Sequence, residues 1–121
     1  MRVLIVESNA GLAEIWSRHL QRTGMEVEVA PTQYDAIHTL IRSEVDVIVL
    51  DLGLEDGSAM AVADFASYRR PEARVIFVTS RSFFSDGSIF NHFANAGAYL
   101  EAQTAPNDLV AIVQHLGGAR G

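Results

Sequence analysis

Five oxygen-bearing side chains stand directly after short β-branched runs. Glu7 and Ser8 follow VLIV, Asp51 follows VIVL, and Thr79 and Ser80 follow VIFV. If these runs are parallel neighbours in one sheet, the five residues meet at its carboxyl end, where open α/β sheets bind their ligands. Two carboxylates beside hydroxyls suit a hard cation or a phosphoryl group, because Mg2+ takes oxygen from one or two carboxylates and completes its shell with water and phosphate. A carboxylate so placed can also act as a nucleophile toward phosphorus. The plainer alternative is that strand-end Asp and Thr cap the turns that follow them.

The elements that must position these residues are legible in the hydropathy pattern. Strand-like runs cover residues 3–6, 27–30, 45–50, 75–78 and 98–100, and they alternate with stretches of helical periodicity, the signature of a parallel sheet. Leu12, Ile15, Trp16, His19 and Leu20 recur at the spacing of one helix face, as do Leu109, Ile112, Val113 and Leu116. Weaker helical patterns cover residues 36–41, 60–66 and 89–94, which makes five strands and five helices. The first, third and fourth runs are almost wholly apolar, as strands covered on both faces must be. Met25-Glu26-Val27-Glu28-Val29 alternates apolar with charged, and Ala98-Tyr99-Leu100 is short, so both read as edges. Right-handed crossovers then favour a doubly wound five-stranded parallel sheet of order 2-1-3-4-5.

Composition bounds the rest. A chain of 121 residues is about one domain, read here as residues 1–118 with a flexible tail at 119–121, the chain loosening from Gly117. The absence of cysteine excludes disulfides and thiolate metal sites. All nine basic residues are arginine, so Schiff-base chemistry and a Walker-type phosphate lysine are excluded as well. The net charge of -6 opposes direct nucleic-acid binding. No run is long enough for a membrane span and the N-terminus does not read as a signal peptide, so a cytoplasmic protein is expected. His19, His38, His92 and His115 fall on separate helical segments and read as surface or core-margin residues.

These residues resemble the receiver domain of two-component response regulators, a chemotaxis-receiver-like fold, over essentially the whole chain. VIVLDLGLEDGSAM is similar to the third strand and acceptor loop of that family, VIFVTS to its fourth strand, and NAGAYLEAQ to its fifth. The resemblance implies a non-enzymatic signalling module in a phosphorelay. It places the phosphoacceptor at Asp51, Mg2+ on Glu7, Asp51 and the Gly53 backbone, the phosphoryl-sensing hydroxyl at Thr79 and the aromatic switch at Tyr99. A histidine kinase or phosphotransfer protein is the implied donor, and a downstream protein, or a second copy in a homodimer, is the implied target. Phe83 and Phe84, adjacent in a loop, read either as part of that partner surface or as core residues beneath the loop.

The departures from the family pattern are specific. Ser8 stands where a second acid usually ligates the metal, and its hydroxyl is a weak substitute. Ala102 stands at the position of the family's strand-5 lysine, in an atypical receiver that holds no lysine at all. Arg81, two residues past Thr79, is the nearby substitute cation, or else a solvated loop residue. The binding of Mg2+ is therefore expected to be weak or absent. Two receiver readings follow: a slowly phosphorylated response regulator, or a phosphorylation-independent pseudo-receiver that works by contacts alone. A flavodoxin-like cofactor binder would share the sheet, but needs a phosphate-cradling loop where Glu7 stands.

Overall fold

The computed structural model describes residues 1–79, 96–101 and 104–118. Five parallel strands, β1 (Arg2–Val6), β2 (Glu26–Ala30), β3 (Val47–Asp51), β4 (Arg74–Thr79) and β5 (Ala96–Glu101), form one sheet in the order β2-β1-β3-β4-β5. The doubly wound order expected from strand composition is the observed one. Four helices are described: α1 (Ala10–Gln21), α2 (Gln33–Arg42), α3 (Ala59–Arg69) and α4 (Pro106–Gly118). The helical pattern at 89–94 lies outside the described residues, as does the tail at 119–121. The helix runs through Gly117 and Gly118, two residues that read as the start of looseness in the sequence.

Side chains alternate across a strand, and here both faces are dry. Leu4, Val6, Ile48, Leu50, Val75 and Phe77 point to one side and pack with Ala36 and Leu40 of α2 and Val62, Ala63 and Ala66 of α3. Val3, Ile5, Val47, Val49, Ile76 and Val78 point to the other and meet Trp16 and Leu20 of α1 and Leu109, Val113 and Leu116 of α4. Truncating any of these fully buried aliphatic side chains to alanine would cost about 2–5 kcal/mol. Two details of the periodicity are corrected. Ile15 is 42% exposed and Ala13 takes its place in the core, because the α1 face that touches the sheet is centred on Trp16 and Leu20. The third strand begins at Val47, and Asp46 just before it bonds to the ends of both neighbours: its N–H donates to Arg2 O and its carbonyl accepts from Arg74 N.

Each helix that leaves the carboxyl end of β1, β2 or β3 starts on a side-chain cap. Asn9 accepts from Leu12 N, Thr32 from Asp35 N and Ser58 from Ala61 N. A capping residue satisfies an N–H that the first turn leaves without a partner, which fixes where the chain stops being loop. The loops at this end are therefore held at both sides. At the opposite end, Gly24 ends the α1 turn with φ of 86°, a left-handed conformation that suits glycine.

Candidate functional site

The parallel register puts Val6 beside Leu50, so the next residues, Glu7 and Asp51, emerge side by side from β1 and β3. Both follow the side-chain parity of Ile5 and Val49. Asp51 in turn pairs with Val78, one residue before Thr79, which is buried at the end of β4. The described part of the crevice thus gathers Glu7, Ser8, Asp51 and Gly53, with Thr79 at the adjacent strand end.

Glu7 is the anomalous residue. The residue is only 2% exposed, deeper than a glutamate goes without strong partners. One oxygen, Oε2, accepts from Asn9 N at 3.0 Å, while Oε1 has no hydrogen-bond partner among the described residues. Burial first, and then the neighbouring Asp51 carboxyl, push the Glu7 carboxyl up from 4.5 to about 7, against the pull of the Asn9 N–H. Two carboxylates cannot hydrogen-bond without a proton between them. Protonation of Glu7 relieves the repulsion between the two neighbouring carboxyl groups, and a cation is the other species that can do so. The donors present are all oxygen, and a buried Glu7 carboxyl with one orphaned atom beside the half-buried Asp51 fits Mg2+.

Asp51 is half-buried, and its Oδ1 accepts from Gly53 N at 2.8 Å. That bond turns the carboxyl so that one oxygen is held by the loop. Ser8 is engaged elsewhere: its hydroxyl donates to Pro31 O at 3.2 Å and accepts from Glu55 N at 2.9 Å. The hydroxyl proton is thus committed to the β2–α2 turn and one lone pair to the acceptor loop. Among the described residues no group of three or more His, Cys, Asp or Glu residues is gathered as a metal site.

Several residues expected at the site fall beyond this geometry. Arg81, Phe83, Phe84 and Ala102 lie outside the described residues. Tyr99 is placed by its backbone in β5, opposite Phe77. His19 and His115 lie on α1 and α4, and His38 is on the solvent face of α2, its ring 4.3 Å from that of Tyr34. Gln33 was missed in the sequence. Its backbone N–H donates to Asp56 O at 3.0 Å and its side-chain Oε1 accepts from Ser58 N at 2.7 Å, so it grips the acceptor loop from α2. The only local signal was the turn-forming pair Asp56-Gly57 on the other side of that grip.

Among known proteins, the family model described as the response regulator receiver domain matches residues 3–114. The regulatory protein LuxO of Vibrio cholerae is 30% identical over 76 residues, which are 63% of this chain and 17% of LuxO, so the chain spans less than a fifth of that relative. A receiver domain protein (CheY-like) from Methanospirillum hungatei superposes with a TM-score of 0.87 at 24% identity, covering 99% of this chain and 98% of the other. The response regulator TrrA from Thermotoga maritima, in complex with Mg2+-BeF, does so at 0.82 and 22%, covering 95% and 97%. These structural likenesses carry the fold. With the family match spanning all five strands, the chain belongs to the response regulator receiver domains of two-component signalling systems.

Proposed function

We propose that this receiver accepts a phosphoryl group on Asp51 from a histidine kinase or phosphotransfer protein and passes the signal on through protein contacts. The observation that supports the reading is the buried Glu7 carboxyl with its orphaned Oε1 beside Asp51, a costly arrangement of the kind that functional sites carry. Glu7 and Asp51 would hold Mg2+, as the Mg2+-BeF complex of TrrA suggests by analogy. When bound, the ion neutralises charge on phosphoryl oxygens.

The rest is the work of this chain. Gly53 N–H keeps Oδ1 of Asp51 occupied, which leaves Oδ2 to attack phosphorus. The new O–P bond forms as the bond from phosphorus to the donor's nitrogen breaks, and the leaving imidazole takes up a proton. Thr79, at the next strand end, would follow the bound phosphoryl group with its hydroxyl, and Tyr99 of β5 would relay the change. A cytoplasmic setting, a downstream protein target and a homodimer through the β5 side belong to the same reading.

The lack of any lysine favours a second reading, in which contacts alone carry the signal. Titration with beryllofluoride in Mg2+, followed by amide NMR, separates the two. Saturable shifts at Gly53 and Thr79 that vanish in Asp51→Asn are expected of a phosphorylated receiver. No shift at any concentration would establish the pseudo-receiver.

A further inference from the structure

The loop between β3 and α3 carries the groups that surround Asp51, and β3 with its neighbour β4 secures only the first half. Leu52 N donates to Val78 O, Gly53 N to Asp51 Oδ1 and Leu54 N to Asp51 O. The second half is held from outside. Glu55 N reaches Ser8 Oγ, Asp56 O accepts from Gln33 N, and Ser58 N reaches Gln33 Oε1. Ser8 Oγ in turn donates to Pro31 O, so these three ties end on Gln33 or on Ser8, itself bound to the β2–α2 turn. Packing agrees with the hydrogen bonds. Gly57 has φ of 107°, and a Cβ there would fall 2.3 Å from Gln33 Cβ, so the loop lies directly against that side chain.

We infer that Ser8 and Gln33 are positioning residues for Asp51: they lace the acceptor loop to the β2–α2 turn and so keep Gly53 N–H on Asp51 Oδ1. The inference rests on Asp51 as the acceptor, and it assigns Ser8 a role different from ligating metal. The hydroxyl acts as donor and acceptor at once, which a carboxylate at this position cannot do. Gln33 opens α2 as its first residue, so a displacement of the loop reaches that helix directly.

The test pairs amide exchange with labelling of the full chain by acetyl phosphate in Mg2+. Ser8→Ala is expected to speed exchange at Glu55, and Gln33→Ala at Ser58, each about three- to tenfold, as befits one lost hydrogen bond. Each should also move the Gly53 amide proton shift and slow Asp51 labelling by a similar factor, while the β3 amides of Val47 to Leu50 exchange as before. Ser8→Thr and Gln33→Glu, which restore the acceptor oxygen, should recover the parent values. Loop amides that loosen without any change at Gly53, or strand amides that loosen in parallel, would overturn the inference. If the parent protein is not labelled at all, Asp51 as acceptor fails, and the Gly53 shift still decides whether the lacing orients its carboxyl.

Discussion

The two ends of the sheet handle charge in opposite ways. At the amino end charges meet partners: Arg2 pairs with Glu26 at 2.8 Å, Arg2 N–H donates to Asp46 Oδ2, and Arg70 lies 4.0 Å from Glu44. Arg69 and Arg70 also donate to the Leu40 and Ile41 carbonyls, closing the C-terminus of α2 where the helix leaves carbonyls open. At the carboxyl end, two acids are placed together and Oε1 of Glu7 has no hydrogen-bond partner among the described residues. The first end adds to stability, whereas the buried Glu7 carboxyl at the second costs it. Perturbed carboxyl groups cluster where function requires them.

Removing the Glu7 charge should produce the largest change. Its folded value of about 7 lies above the usual 4.5, so the folded protein keeps a proton that the unfolded chain releases. Stability is then intact below about 4.5 and falls as pH rises toward 7, by about 3 kcal/mol. Thermal melts in chelator should show Glu7→Gln more stable than the parent at pH 8, with the difference closing at pH 4.5. An equal difference at both pH values would mean that Glu7 does not titrate as the crevice demands.

Gly57→Ala should come next, with a loss of about 2–3 kcal/mol from a side chain forced into the left-handed region and onto Gln33. Denaturant unfolding measures it. On the amino end, Arg70→Ala should lower stability by about 1–2 kcal/mol through the uncapped α2 carbonyls, while leaving acetyl phosphate labelling unchanged. A labelling defect in that variant would erase the division between the ends. The smallest effect is expected of Ser8→Asp: a third carboxylate and a lost donor to Pro31 O should cost about 1 kcal/mol in chelator, with part regained in Mg2+ as the new acid finds the ion.

Much of this contrast was legible in the sequence. Strands buried on both faces must be continuously apolar, so VLIV, VIVL and VIFV announced the central strands, and Glu26 and Glu28 announced an edge. Strand ends then located Glu7, Asp51 and Thr79. Periodicity failed where a helix face is wider than its core contact, as at Ile15, and at Ile41, which is 47% exposed. It also said nothing of Gln33 or the true partners of Ser8, because those bonds join residues 23 to 47 positions apart and depend on how α2 sits against the acceptor loop. The orphaned oxygen of Glu7 was likewise invisible, since it follows from burial depth.

The central claim is that the Glu7–Asp51 pair is a cation-dependent phosphoryl site. Intact-mass measurement after acetyl phosphate treatment, with Mg2+ and with chelator, tests it most directly. The account predicts a gain of one phosphoryl group on the parent in Mg2+ only, absent from Asp51→Asn and strongly reduced in Glu7→Gln. A gain that persists in Asp51→Asn, or that is indifferent to Mg2+ and to Glu7, would contradict it.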